Sequence, residues 1–429
     1  MNSFEIREDF YLNGEKFKVI SGSIHYFRVV PEYWKDRLEK LKALGCNTVE
    51  TYVAWNVHEP EKGKFCFEGI ADLARFIKTA DELGLKVIVR PSPYICAEWE
   101  LGGLPAWLLA ENGIRLRSFN KPFLEAVNKY YKELFKVLAP LQITKGGPII
   151  MFQVENEYGA FGEDTKYLEA LRDMMKENGA EVPLVTSDGP WDDYLSCGKV
   201  DGAHQTANFG SKAEEQFGVL KKYIGDNKPL MCMEFWVGWF DAWGDKKHHL
   251  GDVNEHTKDL DDILSMGSVN IYMVHGGTNF GFMNGANYYD KITPDVTSYD
   301  YDALITEDGS LTEKYEAFKK VISKYVDIPK VELSTKIERK AYGKAKLVAK
   351  TGLFESLSEI SNPVTNHYPL SMEELGQSYG YTLYRADLVK EGAIKKFRLV
   401  GANDRAKVYM DGKEEFTLYD RELLTEKEL

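Results

Sequence analysis

Apolar and β-branched residues fall in short runs separated by longer stretches of helical periodicity, and the two patterns alternate for about three hundred residues. Strands are expected over Val19–Ser23, Thr48–Val53, Lys86–Arg90, Ile149–Gln153, Pro183–Ser187, Val200–His204, Leu230–Glu234 and Val269–Val274. Between them, helices are expected near Glu32–Leu44, Ile70–Leu83, Pro122–Leu138, Thr165–Asn178, Ala213–Ile224 and Asn254–Met266, with another near Leu311–Tyr325 after the last strand. Gly45 and Gly84 stand just past two of these helix ends, where a left-handed cap is wanted. The alternation predicts an α/β fold, a (β/α)8 TIM barrel, which needs about 250 residues plus insertions. An open doubly wound sheet is the competing arrangement, but no Gly-rich phosphate loop follows the first strand.

The pattern changes after Tyr325. Ala345–Ala349, Tyr381–Tyr384, Lys396–Val400 and Ala406–Met410, the last running into Asp411-Gly412, read as antiparallel strands and hairpins. This divides the chain into a barrel over 1–327 and a smaller all-β domain, sandwich- or jelly-roll-like, over 328–429. Strands at the very end have few partners in sequence, and Glu415 to Leu429 drifts into a charged tail, so this β-domain is expected to be incomplete.

Composition narrows the function. At 44% hydrophobic and 13% aromatic, the chain has ample core material. A net charge of −13 disfavours nucleic acid, anionic membrane surfaces and acidic polysaccharides, and favours a neutral substrate. Met1–Phe10 carries Glu5, Arg7, Glu8 and Asp9 with no apolar core of a secretory signal, and no run of 18 uncharged apolar residues occurs. The five cysteines are scattered and odd in number, as expected of reduced thiols in a cytoplasmic protein.

Chemistry concentrates where barrel strands end, which is where barrel active sites are assembled. The fourth strand runs into Phe152-Gln153-Val154-Glu155-Asn156-Glu157-Tyr158-Gly159, and the seventh, Leu230-Met231-Cys232-Met233-Glu234, is followed by Trp236, Trp239 and Trp243. Carboxylates at these places read either as solvated junction acids or satisfied core acids, or as a facing pair across the barrel mouth. A facing pair beside aromatic platforms is what glycosidic cleavage requires: one group protonates the leaving oxygen and the other meets the oxocarbenium-like carbon. A Trp-rich wall also raises the pKa of the acid. Strand alternation puts Glu155 and Glu157 on one face and does not choose between them. Glu50 and Arg90, on neighbouring strands, are expected to pair inside the barrel as structural residues. His248-His249 lies in a charged loop, no spacing fits a zinc site, and no cofactor or metal is implied.

Several segments carry a family resemblance: Gly22-Ser23-Ile24-His25-Tyr26-Phe27-Arg28, Thr51-Tyr52-Val53-Ala54-Trp55-Asn56-Val57-His58-Glu59-Pro60, and Arg90-Pro91-Ser92-Pro93-Tyr94-Ile95-Cys96-Ala97-Glu98-Trp99. Gly102–Leu109, Glu155–Gly159, His275-Gly276-Gly277-Thr278-Asn279-Phe280-Gly281 and Thr297-Ser298-Tyr299-Asp300-Tyr301-Asp302-Ala303 complete the set, in order through about residue 320. The chain thus resembles the glycoside hydrolase family 35 β-galactosidases. Trp236 and Phe282, where animal members carry Tyr, make it more similar to the bacterial ones.

The resemblance implies a retaining exo-β-galactosidase, with Glu157 as acid/base, Glu234 as nucleophile, and the two carboxyl groups about 5–5.5 Å apart. Binding residues implied by motif are Tyr52, Cys96, Ala97, Glu98, Asn156, Tyr299 and Tyr301. Glu98 is expected to accept from two sugar hydroxyls, Asn156 to donate to the 2-hydroxyl, and Tyr301 to orient the nucleophile. Trp236 and Trp239 join the substrate-binding set, Trp239 and Trp243 as stacking surfaces for the second sugar or as seals of the barrel rim. Glu155 is taken as structural. The expected partner is a galactose-terminated oligosaccharide, in a chain that forms a homodimer if it follows its family. Family members usually continue through more β-sandwich than this chain has after Lys330. Two other readings are a barrel that binds sugar without cleaving it, and a sister glycosidase with another sugar preference. A panel of aryl β-glycosides separates all three.

Overall fold

The computed structural model describes residues 2–333, 338–387 and 395–428. Met1 and Leu429, the outermost residues of the segments read above, lie outside them. Eight parallel strands close into a barrel in sequence order: β1 (Ile20–Ile24), β2 (Thr48–Tyr52), β3 (Lys86–Arg90), β4 (Ile149–Gln153), β5 (Leu184–Asp188), β6 (Ala203–Phe209), β7 (Met231–Trp236) and β8 (Ser268–His275), with β8 returning to pair with β1. A three-stranded sheet, Phe4–Ile6, Phe10–Leu12 and Glu15–Lys16, precedes the barrel.

Each barrel strand is followed by a helix: α1 (Trp34–Leu44), α2 (Leu73–Glu82), α3 (Lys121–Leu138), α4 (Thr165–Glu177), α5 (Asp192–Cys197), α6 (Ala213–Ile224), α7 (Val253–Met266) and α8 (Glu313–Ile322). Their amphipathic stripes pack inward. In α3 the buried set is Phe123, Val127, Tyr130, Tyr131, Leu134, Phe135 and Leu138, a three-and-four spacing that keeps one face on the sheet. Side chains cap the helix starts: Asp72, Asn120, Asp164, Asp252 and Thr312 each accept a backbone N–H from the first turn. At the end of α1, Gly45 takes φ of 110° and donates back to Leu41 and Lys42, the left-handed cap that only glycine adopts without strain.

Two expectations need correction. Strand β6 runs over Ala203–Phe209, several residues beyond the expected Val200–His204. Its buried residues include Gln205, Thr206 and Asn208, so the apolar pattern breaks where the strand continues. In the C-terminal region Ala345–Ala349 and Tyr381–Tyr384 are not strands, and Lys396–Val400 shortens to Lys396–Phe397, paired with Lys427–Glu428. Alternation there has no face to cover it, with Val348 89% exposed, and without a partner strand the backbone gains nothing by extending. The hairpin does form: Arg405–Met410 pairs with Lys413–Tyr419 across Asp411-Gly412, both at positive φ as such a two-residue turn demands. No helix among the described residues is long and apolar enough to cross a membrane.

Candidate active site

At the C-terminal mouth of the barrel, Glu234 on β7 is held by three donors from different strands. The Tyr52 hydroxyl, at the end of β2, lies 2.6 Å from Glu234 Oε1. Arg90 Nη1, at the end of β3, lies 2.7 Å from the same oxygen, and the Trp236 indole N–H donates to Oε2 at 3.0 Å. Arg90 also pairs with Glu50 inside the barrel, as expected, at 3.8 Å, while its shorter contact is with Glu234. The guanidinium, fully buried, donates further to Gln153 and Asn156 at 2.7 Å each, and burial with these charges fixes one geometry for the carboxylate. Glu50, beneath them, is pushed up to about 7, by burial above all.

Strand β4 ends at Gln153, and the chain then leaves the pleat. Glu155 and Glu157 take left-handed backbone, φ 56° and 46°, so strand alternation does not apply to them and they part company. Glu155 turns into the structure, where Arg117 donates to both carboxylate oxygens at 3.2 and 3.1 Å and Tyr167 to one at 3.3 Å. Glu157 stays at the mouth, its N–H bonded to Ser187 O and its Oε1 accepting from Asn208 Nδ2 at 2.9 Å. The Ser187 hydroxyl donates to Asn208 Oδ1 and so turns the amide toward Glu157. Asn208 is also the β6 residue registered opposite Glu234. Burial first, then the Glu234 charge, pushes Glu157 up to about 8. A carboxyl group whose proton affinity is raised by burial thus stands beside one paired with an arginine, an asymmetry that suits acid/base and nucleophile roles.

The opposite wall is Cys96-Ala97-Glu98, three consecutive residues with φ of 57°, 57° and 47°. The Cys96 thiol is pushed up to about 12, chiefly by burial and then by Glu98, Glu157 and Glu234, so it is neutral and sits among all three carboxyl groups. Glu98 accepts from the Tyr299 hydroxyl and faces Arg28, whose guanidinium lies 3.7 Å from the Tyr299 ring centre and donates to Ala97 O. Asn156 Oδ1 receives Arg90 and Gln153, with the Tyr52 oxygen 2.7 Å away, which leaves its amide nitrogen with one weak contact to Ile95 O at 3.3 Å. Tyr301 is buried against the rings of Tyr272 and Tyr299, and among the described residues no hydrogen bond joins it to Glu234. The orienting contacts expected of it come from Tyr52, Arg90 and Trp236. Trp239 and Trp243 are exposed on the rim, with Trp239 stacked on Phe240.

Sequence reasoning missed Asn208, Tyr272 and the site roles of Arg28 and Arg90. Asn208 carried no readable signal, since β6 was expected to end before it. Arg28 lay in a quoted motif, and a buried arginine near carboxylates was the available cue. Outside the mouth, Asp241, Asp245 and His249 bring ligand-type atoms within 4.8 Å of one another. Asp241 is already engaged by His248 and His249, and the cluster is largely solvated.

A closed parallel barrel with two carboxyl groups over one mouth is the arrangement of barrel glycosidases. Residues 9–325 match the family "Glycosyl hydrolases family 35", and residues 369–427 match "Beta-galactosidase, first all-beta domain". The chain belongs to glycosyl hydrolases family 35. It is 44% identical over 409 residues to human beta-galactosidase-1-like protein 3, covering 94% of this chain and 61% of that protein. It is 43% identical over 421 residues to human beta-galactosidase, covering 95% and 62%, and 40% identical over 422 residues to beta-galactosidase 17 of Arabidopsis thaliana, covering 95% and 60%. The chain therefore spans about three-fifths of the length of these curated relatives. All three are eukaryotic and lend no support to a bacterial subtype. Among solved structures, GH5_18 from Streptomyces cattleya in complex with GlcNAc aligns with a TM-score of 0.54 at 14% identity, over 73% of this chain and 82% of that one, a likeness of fold alone.

Proposed function

We propose that this chain is a retaining exo-β-galactosidase, removing terminal non-reducing β-D-galactosyl residues from oligosaccharides or glycans by double displacement. The observation that carries the reading is the bridge through Asn208, which bonds Glu157 and stands in register with Glu234, so that acid and nucleophile stand over the same barrel mouth. Glu157 gives its proton to the glycosidic oxygen while Glu234 attacks the anomeric carbon, and the aglycone leaves as an alcohol. Glu157, now ionised, takes a proton from water, whose oxygen displaces Glu234 and frees the sugar with its original anomeric configuration. Glu98, at the same barrel mouth, accepts hydroxyls of the galactosyl ring, and Asn156 retains an N–H for the 2-hydroxyl. The family match and the names of the relatives support galactose as the sugar.

The test is hydrolysis of aryl β-glycosides, with the first-formed product anomer followed by NMR. Cleavage of the galactoside with β-galactose appearing first is expected. Preference for a glucoside, mannoside or N-acetylglucosaminide, or α-galactose first, contradicts the reading. Trp239, exposed at the rim, is the stacking surface for the second sugar, so Trp239→Ala is expected to raise KM for a disaccharide more than for an aryl galactoside.

A further inference from the structure

Arg28, just past the end of β1, is a buried cation that the mechanism above does not use. It is 1% exposed, and its three hydrogen bonds all end on neutral acceptors. Nε donates to Asn279 Oδ1 at 2.8 Å, Nη1 to His25 Nδ1 at 2.9 Å, and Nη2 to the Ala97 carbonyl. The ring centres of Tyr299, Trp99 and Phe27 lie 3.7, 5.2 and 5.8 Å from the guanidinium carbon. Among the described residues no carboxylate makes salt-bridge contact with it. A buried charge is costly unless it is compensated, so the three acceptors and the ring faces stand in for an anion. A guanidinium has only N–H groups to offer, so His25 Nδ1 is the acceptor and this buried imidazole is neutral, with its hydrogen on Nε2. Burial, then the charges of Arg28 and Arg90, push the proton affinity of His25 down, in agreement.

These contacts reach Glu98 from two sides. The Ala97 carbonyl belongs to the peptide that joins Ala97 to Glu98, in the middle of three consecutive non-glycine residues with left-handed backbone. Such a run persists only where its surroundings hold it. On the other side, the Tyr299 ring under the guanidinium ends in the hydroxyl that donates to Glu98 Oε2. The third arm braces the segment that carries Tyr299: the Asn279 N–H donates to Thr297 O at 2.8 Å and its Nδ2 to Val296 O at 3.3 Å. We propose that Arg28 is a positioning residue for the sugar-binding wall, setting Glu98 in place through the Ala97 carbonyl and the Tyr299 ring without pairing with its carboxylate. A direct arginine–carboxylate fork would occupy the oxygens that sugar hydroxyls need. Among the described residues Glu98 instead accepts one side-chain hydrogen bond, from Tyr299, and makes no salt bridge. The proposal rests on the galactosidase reading and deepens it, since it assigns hydroxyl recognition to a carboxylate held by a cation that does not touch it.

Arg28→Lys, His25→Leu, His25→Asn and Glu98→Gln are compared with wild type on an aryl β-galactoside and on its 4-deoxy and 6-deoxy analogues. Arg28→Lys keeps the charge but not the planar fork that serves three acceptors. It is expected to lower kcat/KM about 10- to 100-fold on the parent, through KM more than kcat. The loss should shrink to less than about threefold on the analogue that lacks the hydroxyl read by Glu98, the one on which Glu98→Gln also loses its effect. His25→Leu, which leaves one arm of the fork without an acceptor, should copy that substrate pattern. His25→Asn, which returns an acceptor oxygen near the Nδ1 position, should recover most of the His25→Leu loss. No loss in Arg28→Lys, or losses that follow a different substrate pattern from Glu98→Gln, overturn the proposal. If Arg28→Lys does not fold, the two His25 variants decide: equal activity in both, or equal losses on all three substrates, overturns it. A wild-type enzyme inactive on every galactoside overturns the underlying reading instead, and is seen before any variant is made.

Discussion

Asn208 Nδ2 donates to Glu157 Oε1 at 2.9 Å from a backbone position registered opposite Glu234. One β6 residue therefore links the two carboxyl groups on which the proposed chemistry depends. This bond favours the ionised form of Glu157 and works against burial, so it trims the proton affinity of the acid without cancelling it. Asn208→Ala is expected to move the alkaline limb of the kcat/KM profile to higher pH and to lower kcat about tenfold or more, because the ionised base of the second step loses its donor. An unmoved limb would show that the bond is not made in the working enzyme.

The same profile in wild type has a predicted shape. In the proposed mechanism Glu157 must be protonated for the first step, and it is pushed up to about 8, so kcat/KM should hold through neutral pH and fall about tenfold per unit above pH 8. In Glu157→Gln that limb should vanish along with most activity on poor leaving groups. Substrates whose leaving group needs no proton should keep their first step.

Tyr52→Phe removes a hydroxyl 2.6 Å from Glu234 without opening a cavity. It is expected to lower kcat about ten- to hundredfold with little change in Tm. Arg90→Met should behave differently. It strands Glu234 and Glu50 without their cation, and a loss of about 3–5 kcal/mol of stability is expected, read by denaturant unfolding. If both variants lose activity and stability in parallel, the separation of orienting hydroxyl from compensating charge is wrong.

Stability should also decline as pH rises from 5 to 8. Glu50 and Asp188 are pushed up to about 7, and Glu157 and Asp295 to about 8, all mainly by burial. For a carboxyl whose folded value is raised, the folded state holds the proton more tightly. Its contribution is then fully present below the ordinary carboxyl range and is lost as pH climbs through the folded value. Thermal unfolding should thus give a higher Tm at pH 5 than at pH 8. Glu50→Gln, which fixes the neutral form, should flatten part of that slope.

Much of this was legible in the sequence where burial and pattern agree. The strands Lys86–Arg90 and Ile149–Gln153 have the expected ends, because both are apolar runs closed by a polar residue. The strand-end location of Glu157 and Glu234 followed from the same runs. Less was legible where polar residues point into the barrel, as in β6, whose Asn208 looks like a strand terminator and is a site residue. Arg90 read as a partner for Glu50 from adjacent strands, and it is one, but nothing in the pattern announced that its side chain also reaches up the barrel to Glu234. The parting of Glu155 from Glu157 depends on two left-handed residues that no periodicity announces. Beyond Tyr325, alternation alone overstated the strands, because it says nothing of what would cover them.

The most direct test of the central claim is to trap the glycosyl-enzyme with a 2-deoxy-2-fluoro-β-galactosyl fluoride and locate the label by peptide mass spectrometry. Attachment to Glu234 is predicted, with Glu157 unmodified and the trapped enzyme slowly reactivated by water. A label on Glu157, Glu98 or any other residue, or turnover of an ordinary galactoside by Glu234→Gln at the wild-type rate, would contradict the account.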